Sequence, residues 1–549
     1  MAEEAAPVEG TASGGRLLQV AAPALVLLAA VVPFLRFHEY SLVLPESLLL
    51  MSGACAIGAG VGLAASLRPA TIGAALMAVT LSVYIFLYRP EITDPIVRLA
   101  DRLAGLTGHG AVVLAAFAAA FFLAVGLLCW LLQQRIYTIV AAVFGTIVLS
   151  SLLLPAERGG EPLTVGALPA DLRDLPPVIH IVLDEHIGLA GLPSEFDDRS
   201  AAAHAIETTY RDFALYTRAY SRFAETQYSL SSLLNGDLGE EASALLEETP
   251  ARHGLKRNAW FERLKAKGYA ISVYQSAWFD LCDGAAAVDR CYTYQLYSPN
   301  PIQRAPLPTL AKLRVLTAKL LDDANVPQLS PLGSSEALAQ FEADVDRAPR
   351  GVAYIVHLLM PHFGYMFRGD CSLADPKEWG TLEPIDVEVL STPDERAERY
   401  RLYLPQLLCT QTRLAALFER LKRLGVYDSA TIIVHGDHGS RIAERPFRYL
   451  PAEMLSDRDL LDHFSTLLAV KGPNIAPGLR PEPAVLQRVF AETFLGGRSR
   501  PAGSGAVLVR TGAGGDFAPR QFVWPEIDRV AAAGSAGGGE LRLSTDRAH

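Results

Sequence analysis

The chain has 549 residues and a formal net charge of −10, with 50% hydrophobic and 20% charged residues. This length exceeds the roughly 150 residues of one ordinary domain. The acidic balance, without any basic stripe, argues against a nucleic-acid partner.

Apolar residues are concentrated near the N-terminus. After a tail of residues 1–16, apolar runs occupy residues 17–35, 44–66, 70–88, 111–132 and 136–154. A run of about 20 apolar residues can cross the hydrocarbon core of a bilayer as a helix. We therefore predict a transmembrane region of about five helices at residues 17–154. The first run has no small-residue cleavage site, which favours a retained span over a removed signal peptide.

The arginines beside these runs leave the orientation open. With the N-terminus inside, the inner arginines are Arg16, Arg68 and Arg135, and the outer ones are Arg36, Arg89, Arg98 and Arg102. The positive-inside rule compares such counts, and here they nearly tie. Residues 94–106 have apolar residues at helical spacing, so this loop is either an interfacial helix or a plain solvated loop.

The sequence changes character after residue 154. Residues 155–177 are rich in Pro, Gly and charge and predict a linker. Between residues 178 and 500, helical patterns at 258–268 and 399–425 alternate with strand-like runs at 178–184, 269–275, 352–360, 431–437 and 465–472. This alternation predicts an α/β domain with a largely parallel sheet. Residues 501–549 are predicted to be a tail that is partly disordered.

Polar side chains follow several of the predicted strands. Asp184, Glu185 and His186 follow the first, His362 follows the third, and Asp437 and His438 follow the fourth. Ligand sites of parallel sheets lie at the carboxyl ends of the strands, so we expect these groups to converge. Carboxylate oxygen and imidazole nitrogen suit a divalent metal, with zinc or manganese preferred. A single acid after a strand is more often a turn or cap residue. His180 and His435, inside strands, are predicted to be core residues.

Thr226 is a candidate nucleophile. It precedes a hydroxyl-rich segment with a helix-like start, "YSLSSLLNG". A hydroxyl there would feel the positive end of the helix dipole, which favours attack on an anionic centre. The alternative is a simple helix cap.

The cysteines permit disulfide bonds in the second region. Cys55 and Cys129 lie in predicted spans, and the other four are Cys282, Cys291, Cys371 and Cys409. An even number allows two bridges, with Cys282 and Cys291 the better pair, although free thiols remain an alternative.

The "DHG" of Asp437, His438 and Gly439 after a strand resembles the alkaline phosphatase/sulfatase superfamily. The layout is similar to its membrane-anchored branch, which includes lipoteichoic acid synthases and phosphoglycerol and phosphoethanolamine transferases. That resemblance implies an alkaline-phosphatase-like α/β/α domain, outside the cytoplasm, following about five spans in the plasma (inner) membrane. It also implies a metal site of Asp184, Thr226, Asp437 and His438, with Thr226 as nucleophile.

The resemblance implies weaker candidates as well. Glu185 is a secondary metal ligand, and His362 would face the substrate phosphate or the leaving group. Arg441 is either a phosphate contact or a surface charge. His463 is a candidate substrate contact, although such a histidine is more often structural.

The motifs also depart from those of the family. The C/S-x-P-S-R motif of formylglycine sulfatases is missing, and "LDEHIG" and "DHGSR" stand where the phosphoethanolamine branch has "GET" and "DHGES". The implied function is transfer of a phospho-head group from a membrane lipid to an envelope glycan or lipid through a phospho-threonine. Alternatives are a sulfatase-like hydrolase of phosphodiesters or sulfate esters, and a non-catalytic pseudoenzyme.

Overall fold

The computed structural model describes residues 10–88, 110–154, 162–196, 198–236, 245–248, 253–282, 288–321, 328–379, 390–448, 450–496, 506–510 and 517–522. The proposed interfacial helix at 94–106 lies outside these ranges. So do residues 523–549, which include the C-terminal part of the predicted tail.

The described N-terminal region is a bundle of apolar helices. They are α1 (Gly10–Phe37), α2 (Pro45–Ser66), α3 (Ala70–Tyr88), α4 (Gly110–Leu132) and α5 (Arg135–Leu153). In the described ranges, five helices are long and apolar enough to cross a membrane, as predicted. Helices α1 and α2 approach closely because α2 carries glycine at the contact: a Cβ at Gly58 would lie 2.4 Å from the Cα of Ala24.

The remaining chain folds as a mixed α/β domain. Its longer helices are α6 (Asp198–Thr209), α7 (Thr226–Asn235), α8 (Ala259–Ala266), α9 (Thr309–Leu320), α10 (Ser330–Arg347), α11 (Pro393–Arg423), α12 (Asp457–Phe464) and α13 (Leu486–Phe490). Short 3-10 turns cover Leu189–Gly191, Asn300–Arg304 and Ala452–Met454, and a π turn covers Ala491–Leu495.

The strands are β1 (Leu163–Gly166), β2 (Val178–Leu183), β3 (Ala214–Tyr216), β4 (Ala219–Tyr220), β5 (Leu246–Glu248), β6 (His253–Leu255), β7 (Ala270–Ser276), β8 (Phe279–Asp280), β9 (Arg290–Tyr294), β10 (Val352–Leu358), β11 (Thr431–Gly436), β12 (Leu468–Lys471), β13 (Gly478–Arg480), β14 (Ala484–Val485), β15 (Ala506–Arg510) and β16 (Phe517–Gln521). The main sheet in the described residues has the order β1-β9-β7-β10-β2-β11-β12-β3-β13.

The centre of this sheet is parallel, as the sequence predicted. Strands β9, β7, β10, β2 and β11 run in one direction, and β12 turns back beside β11. The central strands are almost continuously buried because hydrophobic clusters cover both faces of the sheet. Residues 163–166, inside the predicted linker, pair as β1 with the edge strand β9.

Part of the predicted C-terminal tail is packed structure. Strands β15 and β16 form an antiparallel hairpin, in which Val507, Leu508 and Val509 are buried. Disulfides join Cys282 to Cys291 and Cys371 to Cys409, so the preferred pair is bridged and the other two cysteines complete a second bridge.

The α/β domain packs directly on one end of the helix bundle. A buried cluster joins Leu35 and Tyr40, near the C-terminal end of α1, to Leu316 of α9. The same cluster contains Met360 and Met366, from the loop after β10. The loop that carries His362 therefore lies between the sheet and the end of the helix bundle.

Candidate active site

Two neighbouring strands bring an acid each to the same sheet edge. Strands β2 and β11 are parallel, with Leu183 level with Gly436, so Asp184 and Asp437 follow at the same height. The Oδ1 of Asp437 accepts hydrogen bonds from the backbone N–H groups of Glu185 (3.1 Å) and His438 (2.9 Å). These contacts fix one oxygen of Asp437 and leave the other to face Asp184 and His438.

Thr226 reaches this edge from the first turn of α7. Its Oγ1 lies 3.2 Å from the Nε2 of His438 and 3.5 Å from the Oδ2 of Asp184. Helix α7 ends at Asn235 and is capped by Gly236, whose left-handed φ of 66° glycine accommodates without strain. We call Asp184, Thr226, Asp437 and His438 the acceptor cluster; the structure brings these four predicted residues together.

The acceptor cluster contains more buried hydrogen-bond acceptor atoms than donor protons to satisfy them among the described residues. Asp184 Oδ1 and Asp437 Oδ2 are buried and accept no hydrogen bond within the described residues. The Nδ1 of His438 lies 2.9 Å from the carbonyl oxygen of Gly439, which can only accept, so Nδ1 carries the proton. The Nε2 lone pair therefore faces Asp437 Oδ2 at 3.1 Å. A bound cation would satisfy such a group of buried acceptors, and these ligand types suit zinc or manganese.

The two acids also differ in their electrostatics. Burial disfavours the charge of Asp184, but nearby imidazoles, led by His362, hold the pKa of Asp184 below its usual range. Burial and the charge of Asp184 together raise the pKa of Asp437. The pKa values of the two carboxylates thus shift in opposite directions, and a bound cation would favour the charged form of both.

Glu185, Arg441 and His362 form a second group, the arginine cluster. The Oε1 of Glu185 accepts from the Nε of Arg441 at 2.8 Å and also contacts its Nη2. Burial opposes the charge of Arg441, but the Glu185 carboxylate more than compensates and raises the pKa of the guanidinium. The Nε2 of His362 lies 3.7 Å from Glu185 Oε1 and 3.5 Å from Arg441 Nη2. Glu185 is thus paired with Arg441, but it also lies within 4.8 Å of ligand atoms of Asp184 and His362 and remains a secondary candidate metal ligand.

The loop carrying His362 is held by one buried side chain of α11. The amide oxygen of Gln406 accepts from the N–H of Met366 at 2.8 Å, and its nitrogen donates to the carbonyl of His362 at 2.8 Å. Tyr403, one turn earlier, donates to the carbonyl of Glu185 and accepts from the N–H of Ile187. Helix α11 therefore fixes the two turns that present the arginine cluster.

His186, grouped with Asp184 and Glu185 in the sequence, points away from them. Its Nδ1 donates to the carbonyl of Ile187, and its Nε2 lies 2.7 Å from the Nε2 of Gln411. Burial lowers the pKa of His186 to about 4. His186 is thus a neutral core group.

His357 lies beside Asp184, although no motif in the sequence pointed to this histidine. This histidine is the penultimate residue of β10. Both of its ring nitrogens are buried and have no hydrogen-bond partner among the described residues. Its Nε2 lies 3.5 Å from the Oδ2 of Asp184. The available signal was a histidine in an apolar strand, close to the strand end that carries His362.

The other predicted histidines lie outside both clusters. His180 and His435 are buried on the sheet, as predicted, with their Nε2 atoms 2.8 Å apart. His463 is also buried, and it belongs to neither of the candidate metal-ligand groups among the described residues. Its Nε2 lies 2.7 Å from the carbonyl oxygen of Arg445. That contact ties α12 to the segment after "DHGSR".

Glu225 links the candidate nucleophile to the C-terminal hairpin. It immediately precedes Thr226, and its buried carboxylate contacts Arg448 and, at 3.3 Å, the Nη1 of Arg510 in β15. The two guanidinium groups offset the negative charge of the Glu225 carboxylate next to Thr226.

No family model and no curated protein matches the sequence. Among solved structures, the phosphonate monoester hydrolase of Agrobacterium radiobacter is 12% identical with a TM-score of 0.39, covering 61% of this chain and 80% of that one. The phosphonate monoester hydrolase of Silicibacter pomeroyi is 14% identical with a TM-score of 0.38, covering 57% and 71%. A 2-O GAG sulfatase is 13% identical with a TM-score of 0.36, covering 61% and 77%. These three similar structures are two phosphonate monoester hydrolases and a sulfatase.

Proposed function

We propose that this protein is a membrane-anchored, metal-dependent transferase that moves a phospho-head group from a lipid donor to an envelope glycan or lipid. The observation that carries the proposal is the acceptor cluster, in which the Thr226 hydroxyl lies 3.2 Å from His438 and 3.5 Å from Asp184. The cluster is attached to a helix bundle that is long and apolar enough to cross a membrane. Catalytic domain and bilayer would then share one surface, which raises the effective concentration of a lipid donor.

Asp184, Asp437, His438 and Thr226 are the residues that would hold the metal, zinc or manganese. Bound there, a divalent cation lowers the pKa of a neighbouring hydroxyl and neutralises charge on the transferred phosphoryl group. Thr226 attacks the phosphodiester and releases its proton to solvent. The new bond joins Thr226 Oγ1 to phosphorus, and the bond from phosphorus to the lipid alcohol breaks.

The arginine cluster supports the leaving group. We assign His362 Nε2 as the acid that protonates the departing lipid oxygen, with the Glu185 carboxylate 3.7 Å away stabilising the imidazolium. Arg441 faces the same space and would contact a non-bridging phosphate oxygen. In the second step the acceptor hydroxyl attacks phosphorus and gives its proton to His362, the bond from phosphorus to Thr226 Oγ1 breaks, and Thr226 takes a proton from solvent.

The position of the His362 loop favours a lipid as the donor. Met360 and Met366 pack in the cluster that joins the domain to the end of α1. The loop is therefore fixed at the face of the domain that meets the bilayer. A diacylglycerol leaving group at His362 would remain within reach of the membrane.

Thr226→Ala tests the proposal most directly. We expect loss of at least about a thousandfold in turnover of a lipid donor by the full chain in nanodiscs, with metal content retained. Thr226→Ser is the matched control and should keep measurable activity, because it restores the hydroxyl. Mass spectrometry of a quenched wild-type reaction should detect a phospho-head group on the peptide that contains Thr226.

Two outcomes contradict the proposal. Unchanged turnover in Thr226→Ala would show that Thr226 is not the nucleophile. Free head group as the sole product, in the presence of an alcohol acceptor, would identify a hydrolase instead of a transferase.

A further inference from the structure

A second polar site lies at the other end of the helix bundle. A cavity of about 360 Å³ opens between the start of α1, the turn joining α2 to α3, and the turn joining α4 to α5. The opposite end of α1, near Leu35, packs on α9 of the α/β domain. A span of about 20 residues crosses about 30 Å of hydrocarbon, so this cavity lies at the bilayer face turned away from that domain.

The cavity is lined by positive charge and by amide donors. Arg16 and Arg68 contribute guanidinium groups, and Gln19 and Gln133 contribute amides; no Asp or Glu is among the lining residues. Within the described ranges, no carboxylate forms an ion pair with either arginine. Cationic pockets between helices at the head-group level attract anionic lipid head groups.

The floor of the cavity is apolar and closely packed. Ala65 and Tyr137 are about 5% exposed. Gly73 allows the hydroxyl of Tyr137 to approach, because a Cβ at residue 73 would lie 3.0 Å from that oxygen. Gln133, at the rim, has a φ of 47°, a left-handed conformation that costs a non-glycine residue free energy. The result is a shaped recess with a polar rim, within the size range of small-ligand sites, about 300–1,000 Å³.

We infer that this cavity binds the phosphate of an anionic phospholipid from the leaflet that faces away from the α/β domain. Arg16 and Arg68 would contact the phosphate oxygens, and the glutamine amides would donate to the oxygens of a hydroxylated head group such as glycerol. This lipid is a resident ligand and not the donor, because the bilayer separates it from Thr226. The inference does not depend on the proposed reaction.

Lipid binding to the full chain can be measured by native mass spectrometry. The probes are phosphatidylglycerol and, for comparison, zwitterionic phosphatidylcholine, titrated onto detergent-solubilised wild-type protein. We expect phosphatidylglycerol to bind more tightly, and Arg68→Gln to weaken that binding by about tenfold through loss of charge-assisted hydrogen bonds. Arg16→Gln is a second variant with the same expectation.

Arg135→Gln is the matched control. Arg135 begins α5 at the same end of the bundle, but it is not among the residues that line the cavity. Its loss should change phosphatidylglycerol binding by no more than about twofold, because a charge that does not line the cavity acts only through the screened surface potential. Thermal unfolding of each variant verifies folding, and Arg68→Lys should recover part of the affinity.

Three results would overturn the inference. Equal weakening by Arg135→Gln and Arg68→Gln would indicate a general surface attraction. Equal binding of phosphatidylcholine would remove the preference for an anion. Displacement of the bound lipid by glycerol phosphate at the same concentration would indicate a site for a soluble phosphate ester.

Discussion

Asp184 and Glu185 are adjacent carboxylates at one strand end, yet the two clusters that they enter differ in charge. Glu185 faces the guanidinium of Arg441, so the arginine cluster has a cation of its own. Asp184 has a buried oxygen without a donor, beside Asp437 and the Nε2 lone pair of His438. Glu185 adopts a left-handed φ of 63° and pairs with Arg441, although one of its carboxylate oxygens remains within 4.8 Å of a carboxylate oxygen of Asp184. Two adjacent residues thus belong to different clusters. The acceptor cluster has buried oxygens without a donor among the described residues, and the arginine cluster includes the guanidinium of Arg441.

Substitution of the two adjacent acids tests this contrast with the largest expected effect. Asp184→Asn should weaken zinc binding by more than about a hundredfold, since removing a direct ligand costs more than removing the groups behind it. Glu185→Gln, the matched control, should retain the metal. Isothermal titration of the full chain, stripped of metal and held in detergent, measures both. Equal loss in the two variants would place Glu185 among the ligands and abolish the distinction.

Glu185→Gln should instead destabilise the fold. It leaves Arg441 partly buried and without its counter-charge, which we expect to cost about 2 kcal/mol in free energy of unfolding, below the cost for a fully buried pair because the arginine side chain is 24% exposed. Adding Arg441→Gln to this variant should recover most of that loss. Denaturant titration followed by tryptophan fluorescence provides the measurement, and a double variant no more stable than the single one would contradict the ion-pair account.

His357→Gln should have a smaller effect, confined to the acceptor cluster. The ring nitrogen 3.5 Å from Asp184 Oδ2 is placed to orient that carboxylate, and loss of such a supporting group weakens metal binding by about tenfold. His180→Gln is the control, because His180 is equally buried but pairs with His435 and not with Asp184. Equal zinc affinity in wild type and His357→Gln would show that the proximity is incidental.

The sequence predicted the acceptor cluster because parallel strand ends meet at one edge, and two of its members directly follow central strands. Thr226 could be found because a hydroxyl-rich segment begins a helix. The pairing of Glu185 with Arg441 could not be found, since it depends on left-handed backbone at both residues, at φ of 63° and 56°. Gln406 gives no signal in the sequence, because its contacts to the His362 loop depend on how α11 packs across the sheet edge.

The smallest predicted effect concerns the pH dependence that the buried His435 gives to the stability of the fold. Burial lowers the pKa of His435 from 6.5 to about 4, so between these values the unfolded chain binds more protons than the folded one. Stability should therefore be greatest above pH 6.5 and fall as the pH decreases toward 4, with His435 contributing a loss of about 1 kcal/mol at pH 5.5. With metal removed by chelation, His435→Gln should lose less stability than wild type between pH 7.5 and pH 5.5. Identical losses would show that His435 binds a proton as readily in the folded chain as in the unfolded one, which would contradict the effect of burial.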